Sequence, residues 1–266
     1  MLDVEFAQLS DAGLKREHNE DYLGHVLPQT PEQVRTHGWL FTLADGVGGQ
    51  ERGEVASSSA VETVLAGFRK AAPGEPLTAL LPRLVQAANA RVYEIGLSTG
   101  PAGTAIATTM VACALRYDRA LLAHVGDSRC YLVRQGYAAA LTRDHTVPSE
   151  QLRMGLISSR EAAAARTSSL LSRSLGNDIF VSVETSEHQV FAGDQLLLSS
   201  DGLHNSVSLD DIVRITGGSR DLSMAAHDLV ELAKQRDGSD NISIQLIRIL
   251  GVERVGMYRG RHYKLQ

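Results

Sequence analysis

Cysteine is nearly missing from this chain of 266 residues, which has only Cys113 and Cys130. Neither a disulfide framework nor a CxxC redox or zinc motif can therefore organise it. Aromatic residues make up 5% of the chain, so aliphatic side chains must build the core. No run approaches the roughly 18 consecutive apolar residues of a membrane span. The N-terminal Met1-Leu2-Asp3-Val4-Glu5 has neither the basic segment nor the apolar stretch of a signal peptide. The expectation is a cytoplasmic protein with no membrane insertion. Basic charge is short as well: 26 Lys and Arg stand against 31 Asp and Glu, a net of −5. That balance lacks the cationic excess needed to bind a nucleic-acid backbone or an anionic membrane. No repeat, low-complexity tract or Pro/Ser-rich linker divides the chain, so residues 1–266 are expected to form a single domain.

Apolar residues amount to 43%, enough to bury a sizeable core without staples. Strand-like runs bounded by Gly or Asp occur at Trp39 to Ala44, Thr109 to Arg116, Leu121 to Val125, Cys130 to Arg134, Phe180 to Glu184, Gln195 to Ser199 and Ile242 to Ile249. A helical stripe runs through Leu77, Leu80, Leu81, Leu84, Ala88, Val92 and Ile95, a second through Val61, Val64, Leu65 and Phe68, and a third through Leu222, Ala225, Ala226, Leu229, Val230 and Ala233. Strands broken by helix pairs, without βαβ alternation, predict an α+β protein with antiparallel sheets. Cys113 and Cys130 fall on strands joined near Tyr117-Asp118-Arg119-Ala120. Hairpin pairing places Cys113 opposite about position 124, and six residues of strand, roughly 20 Å, then separate the thiols, too far for a bridge. Both are expected to be buried free thiols.

The aspartates carry the chemical signal. Asp45 ends the run Leu40-Phe41-Thr42-Leu43-Ala44, Asp201 ends Leu196-Leu197-Leu198-Ser199-Ser200, Asp127 follows His124-Val125-Gly126, and Asp240 precedes Asn241-Ile242-Ser243-Ile244. Four carboxylates at strand ends can converge on one edge of a core. Carboxylates, carbonyls and water are hard ligands suited to Mg²⁺ or Mn²⁺, and the nine histidines show no HxH or HExxH zinc spacing. Crowded acidic ligands favour a pair of cations, and two metals about 4 Å apart suit in-line displacement at phosphorus. Taken singly, each residue also has an ordinary reading: Asp45 and Asp201 as turn residues before Gly, Asp127 as a β-turn residue, Arg16 as a solvated cation, Glu20-Asp21 as a solvated acidic pair.

Together, however, six blocks in order resemble the protein phosphatase 2C family of metal-dependent serine/threonine phosphatases, in its bacterial form. Arg16-Glu17-His18-Asn19-Glu20-Asp21 resembles RxxNED, and Asp45-Gly46-Val47-Gly48-Gly49 with Gly53-Glu54-Val55-Ala56-Ser57 resembles DGxGG…GExAS. Val125-Gly126-Asp127-Ser128-Arg129 resembles VGDSR and is followed by Asp144-His145-Thr146; Ser200-Asp201-Gly202-Leu203 and Asp240-Asn241-Ile242-Ser243 close the series. The resemblance covers about Ser10 to Ile249. It implies a central sandwich of two antiparallel β-sheets flanked by helix pairs on both faces, with a metal centre at one end.

It further implies that Asp45 bridges two ions, that Glu20 and the Gly46 carbonyl complete one, and that Asp201 and Asp240 hold the other. Asp21 matches the residue that orients the attacking water. Arg16 matches the guanidinium that grips the substrate phosphate, a task suited to its planar fork. Asp127, with Asp201, matches the ligands of a weaker third ion, and 147–172 matches a variable flap beside the cleft. The implied activity is hydrolysis of phosphoserine and phosphothreonine, a metal-activated hydroxide attacking phosphorus in line. Partners would be phosphoproteins and a cognate serine/threonine kinase, and the protein a monomer. A non-catalytic phosphoprotein-binding module and a two-metal phosphodiesterase are the rival readings; the first normally lacks a ligand, and the second fits the acidic charge poorly.

Three departures stand out. Ala107-Thr108-Thr109 replaces a Gly-Thr-Thr, with Gly103-Thr104 upstream, an exchange expected to affect packing alone. Val47 stands where animal relatives carry a His proposed as general acid, which leaves His18, His145, His204 or water to protonate the leaving group. Beyond the last strand, 252–266 forms a basic tail containing Arg254, Arg259, Arg261, His262 and Lys264, expected to pack on the body or to dock a partner.

Overall fold

In the computed structural model, which describes residues 1–47, 52–99, 106–163, 170–258 and 261–264, alternation along the central strands sorts side chains between two different cores. On β3 (Trp39–Val47), Phe41 and Leu43 point one way, Leu40 and Ala44 the other. On β5 (Met110–Arg116), Val111, Cys113 and Leu115 oppose Met110, Ala112 and Ala114, and β6 (Arg119–Val125) repeats the pattern. Strict period-two alternation with apolar residues on both faces requires cover on both sides. One face is covered by a second sheet and the other by helices, whose close approach is eased by the alanines at 112, 114 and 123.

The sheet containing these strands runs β2-β3-β5-β6-β9, with β2 (Asp21–Val26) and β9 (Glu184–Gln189) at its edges and the short β4 (Ala107–Thr108) attached to β3. The facing sheet runs β1-β11-β10-β7-β8, built from β1 (Asp3–Asp11), β11 (Ile242–Gly251), β10 (Gln195–Ser199), β7 (Arg129–Arg134) and β8 (Tyr137–Ala140). All pairings are antiparallel. Helices α2 (Arg52–Arg69) and α3 (Leu77–Thr99) pack their apolar stripes on the first sheet. Helices α7 (Leu209–Gly218) and α8 (Leu222–Arg236) cover the second, with the short α6 (Asp201–His204) beside them. Ser208 and Asp211 form a reciprocal capping box at the start of α7. The α+β sandwich with a helix pair on each face is therefore present. No helix among the described residues is long and apolar enough to cross a membrane.

Outside these layers, α1 (Pro31–Thr36) joins β2 to β3, and α4 (Val147–Arg153) and α5 (Ser159–Ala163) lie between β8 and β9, in the segment expected to form a flap, of which residues 164–169 fall outside the described set. The C-terminal segment forms a hairpin, β12 (Val255–Tyr258) with β13 (Arg261–Lys264). Where it leaves the body, buried Glu253 accepts hydrogen bonds from Arg35 at 3.1 and 3.3 Å, and the Arg254 guanidinium lies 5.8 Å from the Phe191 ring centre. Arg259 lies outside the described residues, as do Gly48, Gly49, Gly103 and Thr104.

Two expectations are corrected. Phe180 to Glu184 is not a strand; pairing begins at Glu184. Cys113 and Cys130 are free and buried as expected, but they are not separated along one sheet. Cys113 opposes Leu122 rather than position 124, and the chain changes sheets between β6 and β7. Both thiols thus enter the core between the sheets, where Cys113 is the leading influence raising the Cys130 thiol pKa, with burial second.

Candidate active site

Five chain segments end or begin at the same end of the sandwich. β3 carries Asp45 and Gly46, Asp127 follows β6, Asp201 opens α6 directly after β10, Asp240 precedes β11, and the β1–β2 connection carries Arg16 and Glu20. The structure brings these seven residues together around one cavity of about 480 Å³. Asp21 does not line it: the residue is 6% exposed, sits opposite Asp45 in the β2–β3 register, and accepts a hydrogen bond from Ser200 Oγ at 2.8 Å. Its other oxygen, Oδ1, is buried without a hydrogen-bond partner. Arg16 stands at the mouth, 48% exposed, and donates to Asp240 Oδ2 at 2.8 Å.

The backbone holding these carboxylates is fixed by residues that sequence reasoning assigned to packing or did not single out. Thr109 Oγ1 accepts from Asp45 N–H at 2.9 Å, Thr109 N–H donates to Asp45 O at 2.8 Å, and Thr108 Oγ1 donates to the same carbonyl at 2.8 Å. The 107–109 segment thus clamps the central aspartate. Asn241 accepts from Glu20 N–H at 2.9 Å and donates to Ala12 O and His18 O at 3.1 and 2.9 Å, tying the β1–β2 connection to the start of β11. Ser57 Oγ donates to Glu20 O at 2.6 Å. Gly46 and Gly53 make this closeness possible: a Cβ on Gly46 would come within 2.3 Å of the Gly53 carbonyl oxygen, and one on Gly53 within 2.6 Å of the Glu20 carboxylate. The only signal for these residues was their place inside the matching blocks.

Electrostatics follow from crowding. Burial raises the Asp45 carboxyl well above the usual range, and the charges of Asp21, Asp201, Asp127 and Asp240 raise it further. Burial, then Asp201, pushes Asp127 up to about 7; burial, then Asp240, pushes Asp201 to about 6. Asp21 reaches about 7 through burial, against the Ser243 and Ser200 hydroxyls, which lower it. Glu20 is also raised, mainly by burial, with Arg16 opposing. Several carboxylates driven above their normal range by burial and then by one another, all presenting oxygen, and an unsatisfied Asp21 oxygen form a donor set that fits hard divalent cations.

The histidines are placed differently. Near the base of the flap, His124, His145 and Glu184 bring ligand atoms within 4.8 Å of one another. His145 Nδ1, however, accepts from Gly126 N–H at 3.2 Å, so its proton sits on Nε2 and faces Glu184 Oε2 at 3.2 Å. A cation at Nε2 would have to displace that proton and leave an imidazolate, so this trio is a hydrogen-bonded brace. Burial, the main cause in each case, lowers His145 to about 4 and His204 to about 3; both are neutral near pH 7.

Comparison with known proteins agrees with this geometry. The sequence model of the family described as Protein phosphatase 2C matches residues 15–233. The chain is 33% identical over 243 residues to a putative protein phosphatase 2C-type from Streptococcus pyogenes, covering 90% of this chain and 94% of that one. The S. agalactiae serine/threonine phosphatase structure superposes with a TM-score of 0.84 at 31% identity, covering 93% of this chain and 100% of that one. The catalytic domain of the serine/threonine protein phosphatase PstP, solved with two manganese ions, gives a TM-score of 0.78 at 31% identity, covering 94% and 100%.

Crowding predicts a specific pH dependence for the chelated protein. With the folded Asp127 carboxyl at about 7 and the unfolded one near 3.9, its charge is harmless below about pH 4. It destabilises progressively up to about pH 7 and stays fully destabilising above. In excess chelator, Asp127→Asn is expected to melt roughly 4–8 °C above its parent at pH 8, with the gain shrinking towards zero at pH 4.5. Taking the difference cancels the opposite contribution of buried His145 and His204, which destabilise as pH falls. An equal gain at both pH values, or a loss at pH 8, would contradict the crowding.

Proposed function

The chain belongs to the protein phosphatase 2C family, and from that membership we propose that the acidic cavity is the catalytic centre of a metal-dependent serine/threonine phosphoprotein phosphatase formed by a single domain. The observation that carries the reading is the convergence of Asp45, Asp127, Asp201, Asp240, Glu20 and Arg16 on one open cavity. Asp45, at the centre of the carboxylate group, would hold both of two ions, with Glu20 and the Gly46 carbonyl completing one site and Asp201 and Asp240 the other. Asp127 with Asp201 takes a weaker third. When bound, Mn²⁺ or Mg²⁺ supplies a nucleophile from water at neutral pH and positive charge against the phosphoryl oxygens.

The remaining work falls to the chain itself. Arg16, half exposed and held by Asp240, offers a fork of donors that engages the phosphate at the cavity mouth and holds it for in-line attack. Asp21, opposite Asp45 behind the cavity wall, would use its unpaired Oδ1 to orient a water on the buried side of the centre. Thr108, Thr109 and Asn241 keep the ligand backbone fixed, so that little reorganisation accompanies the reaction. Val47, which lines the cavity, supplies no proton, and the buried neutral imidazoles of His145 and His204 do not replace it. Protonation of the leaving alkoxide by water follows.

Phosphoproteins are the substrates, and a serine/threonine kinase must make the esters this enzyme removes. The protein acts as a monomer in the cytoplasm, and its acidic net charge of −5 argues against a nucleic-acid partner. Metal-stripped protein is expected to be inactive on a phosphothreonine peptide, recovering with Mn²⁺ or Mg²⁺ but not Zn²⁺ or Ca²⁺. Asp45→Asn is expected to retain less than about a tenth of the activity. Full activity after stripping, or a phosphodiester cleaved faster than the phosphopeptide, would sink the reading.

The proton argument makes its own prediction. Alanine at His18, His145 or His204 should lower phosphopeptide turnover by no more than about 30-fold relative to p-nitrophenyl phosphate, whose leaving group needs no acid. A larger selective loss at any of the three would identify that imidazole as the acid.

A further inference from the structure

Beside the cavity lies a loop whose side chains and backbone follow opposite logics. Ile179 and Phe180 are 56% and 76% exposed, a costly place for two large apolar side chains, yet the backbone beneath them is held firmly. Fully buried Asn89 on α3 accepts from Gly176 N–H at 2.9 Å and donates to Asp178 O and Ile179 O at 2.9 and 3.1 Å. One turn earlier, Gln86 donates to Ile179 O at 3.1 Å and accepts from Val181 N–H at 3.2 Å. Val181 and Val183 pack against the helix-side core. A chain that spends a buried amide on fixing a loop while leaving its apolar side chains in water has built a preorganised contact surface.

Continuity with the cavity says what touches it. Ser174 and Asn177 line the cavity, and Leu175 exchanges both backbone hydrogen bonds with Thr108, at 2.8 and 3.1 Å, while Thr108 pairs with Gly46. Phe180 stands three residues beyond Asn177, at most about 11 Å along the backbone. An extended polypeptide leaving the cavity covers that span in about three residues. Val47 and Leu170, which line the cavity itself, are 42% and 54% exposed, so the cavity wall also presents apolar surface.

We propose that Ile179 and Phe180 form a substrate-docking shelf that selects phosphoproteins carrying an apolar side chain two or three residues from the phosphorylated serine or threonine. The proposal rests on the phosphatase reading and adds specificity to it. Metal-bound phosphate recognition is indifferent to flanking sequence, whereas an exposed Phe on a hydrogen-bonded loop beside the cavity is a typical binding anchor.

The test compares two phosphothreonine peptides, one with Leu and Phe two and three residues from the phosphothreonine and one with Gly and Ser there, alongside p-nitrophenyl phosphate, all with Mn²⁺. The unsubstituted protein should favour the apolar peptide by about tenfold in kcat/KM. Ile179→Ser/Phe180→Ser should reduce that preference to within about twofold through KM, leaving p-nitrophenyl phosphate turnover within about twofold. Phe180→Leu, which keeps apolar surface, should retain most of the preference. Equal turnover of both peptides by the unsubstituted protein would overturn the proposal. So would parallel loss on p-nitrophenyl phosphate in the double variant, or a variant that changes only self-association. No turnover of any substrate by the unsubstituted protein would instead bring down the phosphatase reading beneath it.

Discussion

Repulsion among buried carboxylates is the constraint on which the rest of this structure depends. Asp45, Asp127 and Asp201 are each raised by burial and by at least one other member of the group, an arrangement unfavourable in the absence of cations. The fold nevertheless forces them together, because each occupies a strand end at the same edge of the sandwich. Divalent ions turn that repulsion into attraction, so the strain of the metal-free protein and the affinity of the loaded one have the same origin.

Holding such a group requires a backbone that does not relax, and the chain provides one at every approach. The two threonines after β4 begins hold both polar backbone groups of Asp45, and Asn241 joins connections more than 200 residues apart in sequence, with a separation of 221 to Glu20. The close contact of Gly46 with Gly53 sets the start of α2 against β3, which seats Glu20 beside the central aspartate. The helix pair and the sandwich thus serve catalysis by fixing main chain, while the ligand side chains need only point outward from it.

The central fold was legible because strands such as β6 are apolar on both faces and end at a Gly. β1 was not: Val4 and Phe6 face the core between the sheets while Ala7 and Leu9 face the helix-side core, and the interspersed Glu5, Gln8 and Ser10 of this edge strand dilute the signal. Phe180 to Glu184 has the β-branched and aromatic composition of a strand, but side chains from α3, distant in sequence, claim its backbone. The cysteines misled because local hairpin arithmetic cannot see a chain crossing between sheets. In the site, the aspartates stood out at the ends of apolar runs, whereas Arg16 and Glu20 were visible only through their family block. Thr108, Thr109 and Asn241 left no chemical trace, since a hydroxyl or amide beside a strand reads as an ordinary turn residue.

Proton release on cation binding tests the central claim most directly. Calorimetric titration of the metal-free protein with Mn²⁺, in buffers of different ionisation enthalpy, counts the protons displaced. With Asp127 held at about 7 and Asp201 at about 6, about one or more protons should leave per protein at pH 6, and fewer at pH 9. Tight Mn²⁺ binding at pH 6 with no proton released would mean that these carboxylates were already ionised, and would contradict the account.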